Sequence, residues 1–389
     1  MGGSRAIRLL SVVGTRPEAI KIAPVALAAA PRSHINHRIL ATGQHGELFD
    51  EALADFGLHP ELRLPPLLHD SSLDVMTARF ADAIAATLRS ERPDMVLVQG
   101  DTTSAYAGAI AAHRLGLPIG HVEAGLRSHD LHCPWPEERN RVMIDRLATL
   151  LFAPTSEARA NLVAEAGVVT GIVTVTGNTG IDALLAMRAR LPAPTSSADQ
   201  ALILLTCHRR ENIGTGIEAI CDAARRLADR GDVMILCPVH PNPAVGDIVR
   251  ARLAEHPAIT LTGALRYRDV VAAMAAARLI LIDSGGIQEE APALGIPVLV
   301  LRDVTERPEG LATGNLALVG TDADRIVVTA SRLLDDPAAH AAMACPAFPF
   351  GQGDAATKIL DAIEQYFSSD PPDDHPLPFG HASIMDVAR

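Results

Sequence analysis

The chain has 389 residues, 48% hydrophobic and 21% charged, which excludes a disordered protein and suggests two or three domains. A formal net charge of −12 argues against nucleic-acid binding but allows a local cluster of cations that binds phosphate. No apolar stretch reaches the roughly 20 residues of a membrane-spanning helix, and we expect no signal peptide and no membrane partner. The five cysteines lack CxxC spacing, so we expect a reduced, cytoplasmic protein without structural zinc or disulfides.

Short, apolar, β-branched segments alternate with helical ones through the first half of the chain. Strands of this composition are typical of a parallel sheet that is covered by helices on both faces. The alternation therefore predicts a doubly wound α/β domain. The predicted strands are 7–13, 37–41, 95–98, 119–122, 150–152 and 172–175, and the predicted helices include 17–29, 73–89, 104–115 and 156–166.

A linker is predicted at 191–200, where prolines and small polar residues interrupt the alternation. We therefore predict two Rossmann-like domains, 1–190 and 201–354, that face a cleft. A helix over 355–369 is expected to cross back over the domains, and the Pro- and Asp-rich residues 370–389 to form a flexible tail. In the second half the predicted strands are 202–206, 233–238, 259–261, 279–282, 298–301 and 316–319, and the helices include 216–228, 269–277 and 288–294.

The first candidate ligand site follows the first predicted strand. Gly14 permits a tight turn, Pro17 suits the first helical position, and Arg16 and Lys21 add positive charge where a helix already favours an anion. The three-glycine dinucleotide fingerprint is absent, so no nicotinamide cofactor is indicated. Taken alone, an ordinary strand-to-helix turn explains this segment better.

Three carboxylates follow strands of the first half: Asp101, Glu123 and, a little farther along, Glu137. The carboxyl ends of parallel strands share one edge of the sheet, so these groups could point into one cleft. Neighbouring carboxylates push one another's pKa values apart, which suits acid/base catalysis. For Asp101, a helix N-cap is an equally good interpretation, and the set could also be solvated charges in local ion pairs.

Histidine and arginine follow the first strand of the second half. His208 could carry a proton near neutral pH, while Arg209 and Arg210 would lower its pKa and suit a diphosphate. His240 also follows a strand, although a lone histidine is more often structural. The histidines show no HExxH or comparable spacing, so we predict no metal site.

Small residues follow the predicted strand 279–282. Ser284, Gly285 and Gly286 have the arrangement of a phosphate-binding helix N-terminus, and the acidic pair at 289–290 could accept hydrogen bonds from sugar hydroxyls. The alternative for the two glycines is close packing of the helix against the strand.

Together these motifs resemble the non-hydrolysing UDP-N-acetylglucosamine 2-epimerase family over nearly all of residues 6–367. The resemblance implies a two-domain fold like that of the GT-B glycosyltransferases, with a UDP-sugar between the domains and no cofactor. It also implies inversion at C2 of UDP-N-acetylglucosamine to give UDP-N-acetylmannosamine, through elimination of UDP to 2-acetamidoglucal and re-addition. The segments that carry the resemblance are 14–21, 100–103, 121–127, 136–141, 208–212, 284–292 and 302–309.

The resemblance implies roles for individual residues as well. Asp101, Glu123 and Glu137 match the family's acid/base carboxylates, and His208 lies near the diphosphate. Substrate- and UDP-contacting residues are matched by Arg16, Lys21, Arg141, Tyr267, Ser284, Gly285, Gly286, Glu290 and Arg307.

An allosteric site is a further implication, because bacterial members often bind a second UDP-N-acetylglucosamine as an activator. Gln44, Arg210 and His240 match that region, but Glu47 replaces an expected glutamine and 67–73 offers no arginine. Near the uracil site, Val270 stands where a phenylalanine is expected, so a related UDP-N-acyl sugar is an alternative substrate.

Other functions remain open from sequence alone. A hydrolysing 2-epimerase would let water reach the glycal intermediate, and a GT-B glycosyltransferase would share the fold and the nucleotide loop. A UDP-sugar sensor should have lost some of the acidic residues, and here all are present. The resemblance also implies a homodimer and a place in polysaccharide biosynthesis.

Overall fold

The computed structural model describes residues 6–44, 46–65, 72–193, 200–305 and 307–369. These residues divide into two compact units: unit 1 falls within Met1–Ala183 and Gly351–Arg389, and unit 2 within Leu184–Phe350. The expected linker lies partly outside the described residues, and the expected tail lies wholly outside them. In the described part of the chain, no helix is long and apolar enough to cross a membrane.

Unit 1 is built on a seven-stranded parallel sheet, as its alternating pattern predicts. Its elements are β1 (Ile7–Val13), α1 (Arg16–Ala29), β2 (Ile35–Ala41), α2 (Gly46–Asp55), β3 (Leu62–Arg63), α3 (Leu73–Glu91), β4 (Met95–Gln99), α4 (Thr103–Arg114), β5 (Ile119–Val122), α5 (Glu137–Leu147), β6 (Leu150–Ala153), α6 (Ser156–Ala164), β7 (Ile172–Val175) and the first residues of α7 (Thr179–Arg190), a helix that ends in unit 2. The strand order is β3-β2-β1-β4-β5-β6-β7.

Unit 2 repeats the plan with a six-stranded parallel sheet. Its elements are β8 (Ala201–Thr206), α8 (Thr215–Ala228), β9 (Val233–Pro238), α9 (Pro243–Leu253), β10 (Ile259–Thr262), α10 (Tyr267–Ala276), β11 (Leu279–Ile282), α11 (Gly285–Glu290), β12 (Val298–Val300), α12 (Pro308–Ala312), β13 (Leu316–Leu318), α13 (Ala323–Asp335) and α14 (Pro337–Met343). The strand order is β10-β9-β8-β11-β12-β13.

The last described helix, α15 (Ala355–Ser368), belongs to unit 1 and packs against α1. Its first turn is fixed by Asp182, whose carboxylate accepts hydrogen bonds from the Ala355 and Ala356 backbone N–H groups at 3.2 and 2.8 Å. Arg32 adds ion pairs to its acidic face. The chain therefore returns to unit 1 after completing unit 2.

Each sheet has one switch point, which is a pair of adjacent strands from which the chain continues towards opposite edges of the sheet. These switch points lie between β1 and β4 in unit 1 and between β8 and β11 in unit 2. Two of these four strands, β4 and β11, are buried along their full length. Open α/β sheets bind ligands beside the carboxyl ends of such strands, so the segments that follow these four strands hold the candidate sites.

Candidate active site

The turn after β1 is closed by a buried glutamate. Glu18 is 1% exposed and accepts hydrogen bonds from the Gly14 and Thr15 backbone N–H groups at 3.0 and 2.6 Å. Burial raises its pKa to about 7, against the opposing effect of these hydrogen bonds. The carboxyl also accepts the Thr102 hydroxyl at 2.7 Å, which ties this turn to the one after β4.

Two details of the first turn differ from expectation. The helix begins at Arg16, with Thr15 as N-cap, so Pro17 is the second helical residue rather than the first. Gly14 serves close packing rather than a tight turn, because a Cβ there would lie 2.0 Å from the Ser104 hydroxyl oxygen. Any larger residue at position 14 would push the start of α4 away from the switch point.

Asp101 lies in the turn after β4, where the sequence left it as either a ligand-facing carboxylate or a helix N-cap. Thr102, not Asp101, caps α4, since its hydroxyl accepts the Ala105 backbone N–H at 3.0 Å. The Asp101 carboxylate instead pairs with the Arg141 guanidinium. Gly100 adopts φ +67° in this turn, a conformation that favours glycine.

The other two predicted carboxylates influence the Asp101 carboxyl electrostatically. Burial raises the pKa of Asp101, Arg141 opposes that rise, and the negative charges of Glu123 and Glu137 add to it. The structure thus brings the three groups together near the carboxyl ends of β4 and β5. Glu137, half-buried, is the first residue of α5.

Glu123 is held in a conformation that few non-glycine residues adopt. Its φ is +73°, and its side chain is 9% exposed. The Lys21 ammonium donates to both carboxylate oxygens at 2.6 and 2.7 Å, and the Gln99 amide donates to one of them. Strained backbone at a charged, partly buried group is a mark of functional sites. Lys21, predicted as a substrate contact, therefore has Glu123 as a partner.

In unit 2, the switch point is organised around the buried carboxylate of Asp283, a role that the sequence motifs do not indicate. Asp283, the first residue after β11, is fully buried and accepts the His208 and Arg209 backbone N–H groups, each at 2.9 Å. The Asn212 amide donates to the same carboxylate at 3.1 Å. Asp283 therefore fixes the backbone of the segment after β8.

His208 lies half-buried beside this carboxylate, with Nδ1 3.4 Å from an Asp283 oxygen. Its ring stacks on that of His240, with centroids 5.3 Å apart and planes 12° apart. Burial lowers the pKa of His208, Asp283 opposes the shift, and His240 and Arg209 add to it. The neighbouring arginine thus contributes as predicted, but desolvation is the larger cause.

Two guanidinium groups converge on the start of α11. A Cβ at Gly285 would lie 3.5 Å from a terminal nitrogen of Arg209 and 3.5 Å from one of Arg307. Arg209 also donates to the Asp283 carbonyl, and Arg307 pairs with Glu289. Side-chain cations and unpaired helix N–H groups in one place suit a phosphate or diphosphate. Gly286 is exposed, with nothing within 4 Å of its Cβ position, so close packing does not explain it.

The remaining predicted contacts of unit 2 cluster around the same short helix. Ser284 is its N-cap residue. The buried Tyr267 hydroxyl donates to Glu290 at 3.0 Å, and burial together with that carboxylate raises the pKa of Tyr267 well above its ordinary value. Thr305 donates to Gln288 at 2.6 Å. Glu306, which belongs to the motif at 302–309, lies outside the described residues.

The predicted allosteric residues are distributed over both units. In unit 1, Gln44 accepts a hydrogen bond from the Ser104 hydroxyl at 2.7 Å, beside the switch point. In unit 2, His240 stacks on His208. The Arg210 side chain and residue 45 lie outside the described part of the structure.

Two parallel sheets with these strand orders place the protein in the class of two-unit α/β folds of GT-B type. A sucrose-phosphate synthase from Thermosynechococcus elongatus aligns with a TM-score of 0.62 over 94% of this chain and 100% of that one. Only 16% of the residues are identical, so this likeness shows the fold alone.

Closer similarity gives the family. The family model for UDP-N-acetylglucosamine 2-epimerase matches residues 27–364. The UDP-N-acetylglucosamine 2-epimerase of Escherichia coli K12 is 43% identical over 371 residues, 92% of this chain and 98% of that protein. The crystal structure of UDP-GlcNAc 2-epimerase from Neisseria meningitidis bound to UDP-GlcNAc has a TM-score of 0.85 and 38% identity, covering 92% of this chain and 100% of that one. The chain belongs to the UDP-N-acetylglucosamine 2-epimerase family and is an enzyme of the isomerase class.

Proposed function

We propose that this enzyme interconverts UDP-N-acetylglucosamine and UDP-N-acetylmannosamine without hydrolysis. The observation that carries the proposal is that Asp101, paired with Arg141 in the turn after β4, lies within electrostatic range of Glu123 and Glu137. Inversion at C2 needs a proton removed from one face and another delivered to the opposite face, which requires more than one proton-handling group. Family membership decides against the glycosyltransferase alternative.

Elimination is the first half of the reaction. A carboxylate takes the C2 proton, the C2–H electron pair becomes the C1–C2 double bond, and the C1–O bond breaks with its electrons on the β-phosphate oxygen of UDP. The products are 2-acetamidoglucal and UDP. Asp101, with its raised pKa, is the member best suited to hold a proton.

Re-addition completes the inversion. A protonated group delivers its proton to the opposite face of C2, and the β-phosphate oxygen of UDP bonds to C1, restoring the UDP-sugar. Both steps develop or consume charge on the diphosphate, which Arg209 and Arg307 beside the start of α11 are placed to stabilise. His208, beside Arg209, is proposed to hydrogen-bond the departing diphosphate.

Positional isotope exchange tests this mechanism. UDP-N-acetylglucosamine carries ¹⁸O in the oxygen that joins C1 to the β-phosphorus, and the label is followed by ³¹P NMR. Reversible C1–O cleavage is expected to move it into non-bridging β-phosphate positions while UDP-sugar is conserved. Accumulation of UDP and free N-acetylmannosamine would instead establish the hydrolysing reaction, and a label that stays in place during epimerisation would contradict C1–O cleavage with rotation of the β-phosphate.

Substrate range and regulation extend the same proposal. A panel of UDP-N-acyl sugars tests the alternative substrate that Val270 suggests. Activation through Gln44, Arg210 and His240 is tested by the dependence of rate on substrate concentration, where a sigmoidal curve is expected of an activated enzyme. The homodimer, the cytoplasmic location and the role in polysaccharide biosynthesis remain predictions, of which light scattering tests the first.

A further inference from the structure

A buried histidine that the proposed mechanism does not use lies beside the Asp101 turn. His121, on β5, has no exposed surface. Its Nδ1 is 2.6 Å from an Asp145 oxygen, and its Nε2 is 2.8 Å from the Gly100 carbonyl oxygen. We propose that His121 is a positioning residue that fixes the Gly100–Asp101 peptide and so the Asp101 carboxyl. This inference rests on the role proposed for Asp101.

The partners of His121 fix the orientation of its ring. A carbonyl oxygen can only accept, so Nε2 donates to Gly100. Nδ1 faces one Asp145 oxygen, while the other Asp145 oxygen accepts the Arg127 guanidinium at 2.7 Å and the Gly125 backbone N–H at 3.2 Å. The ring is therefore held at both nitrogens.

Arg127 and Glu165 extend this network away from His121. The Arg127 side chain is 2% exposed and is held on its other side by Glu165, with Nε and a terminal nitrogen donating at 2.8 and 3.1 Å. Burial alone would lower the pKa of Arg127, and the hydrogen bonds that it donates to Glu165 and Asp145 raise it above its ordinary value. One connected network thus joins His121 to Asp145, Arg127 and the partly exposed Glu165.

The side-chain network that includes His121 ends at the turn after β4, whose peptide groups are held by several hydrogen bonds. His121 holds the carbonyl of Gly100, and the Asn140 amide donates to the carbonyl of Asp101 at 2.9 Å. Thr102 is held through its hydroxyl by Glu18. Without the His121 bond, the Gly100 carbonyl loses its partner and the turn can shift. A displacement of about 1 Å at a reacting group can cost about 100-fold in rate.

Two amide substitutions separate positioning from simple packing. In His121→Gln, the amide nitrogen reaches the place of Nε2 and can still donate to Gly100. In His121→Asn, the shorter amide reaches the place of Nδ1 and can contact Asp145 only. We expect kcat to fall about 100-fold in the Asn variant and by about 10-fold or less in the Gln variant, with KM and UDP affinity unchanged within about two-fold.

Equal behaviour of the Gln and Asn variants would overturn the positioning role of His121. If His121 only fills space, both variants lose thermal stability and kcat to the same extent, and the split between them disappears. Asp101→Asn belongs in the same series: if it keeps full turnover, the role of Asp101 and this inference both fail. If Asp101→Asn is inactive while the two His121 variants are alike, only the inference on His121 is overturned.

A measurement on the unaltered enzyme covers the case in which the variants do not fold. Proton–nitrogen NMR of ¹⁵N-histidine-labelled protein should show one ring Nε2–H that exchanges slowly with water, because His121 is fully buried and donates to Gly100. A spectrum without any such protected ring N–H would contradict the assignment.

Discussion

The two switch points use one scaffold for opposite charges. In unit 1, the buried Glu18 closes the turn, and the groups proposed for proton transfer are carboxylates, led by Asp101, which pairs with Arg141. In unit 2, the buried Asp283 fixes the turn, and the groups proposed to bind the ligand are guanidiniums, Arg209 and Arg307. Parallel strands fix where side chains emerge, and the residues at the strand ends decide whether the place handles protons or binds an anion.

This contrast assigns different kinetic consequences to the two units. Loss of a proton-handling group should lower the rate of chemistry and leave nucleotide affinity intact. Loss of an anion-binding group should weaken UDP binding directly. Variants in each unit, measured for both quantities, decide whether the division holds.

The largest effect is expected for Asp101→Asn. The amide cannot exchange a proton at C2, so kcat should fall about 1,000-fold or more, while UDP affinity stays within about two-fold. Steady-state kinetics and calorimetric titration with UDP measure the two quantities. Asp82→Asn, an exposed change on α3, is the matched control. Equal losses of rate and of UDP affinity in Asp101→Asn would break the proposed division.

The next effect concerns stability and arises from Glu18. Its pKa is 4.5 in an unfolded chain and about 7 when folded, so the folded state binds the proton more tightly. The stabilising contribution is fully present below about pH 4.5 and is lost as pH rises to about 7, a change of about 3 kcal/mol. Thermal unfolding across this range should show wild type losing Tm relative to Glu18→Gln. Glu157→Gln, exposed on α6, should run parallel to wild type instead.

A smaller effect is expected in unit 2 for Arg307→Ala. Removal of one of the two guanidiniums beside Gly285 should weaken UDP binding about 10- to 30-fold, since a charge-assisted hydrogen bond contributes about 2 kcal/mol. Arg226→Ala removes an exposed cation that pairs with Asp324 in the same unit and serves as the control. Unchanged UDP affinity in Arg307→Ala would remove it from the anion site.

The smallest effect is expected for Tyr267→Phe. The hydroxyl donates to Glu290, and its loss leaves one acceptor without that hydrogen bond while the buried ring is kept. KM for the UDP-sugar should rise about five-fold, with little change in kcat. A fall in kcat without a change in KM would instead assign Tyr267 to the chemical step.

Much of the fold follows from local sequence. β1, β5, β7, β9 and β11 have the predicted bounds, because short apolar, β-branched segments between polar turns specify strands. The two-residue β3 is too short to leave such a pattern. Helix α5 follows a loop rich in proline, and its polar first turns hide its periodicity.

The site was harder to predict where partners are distant in sequence. Glu18 had a local signal, since Thr15 and Glu18 have the spacing of a capping box, but its bond to Thr102 joins residues 84 positions apart. The roles of Asp283 and His121 depend on tertiary contacts that no sequence motif indicates. Residue types at strand ends indicated the chemistry, whereas the network that orients them emerges only on folding.

Proton NMR of the wild-type enzyme with UDP-N-acetylglucosamine in D₂O tests the central claim most directly. We predict that deuterium enters C2, that UDP-N-acetylmannosamine appears, and that total UDP-sugar stays constant. Epimerisation that keeps the original C2 proton, or steady accumulation of UDP with free N-acetylmannosamine, would contradict it.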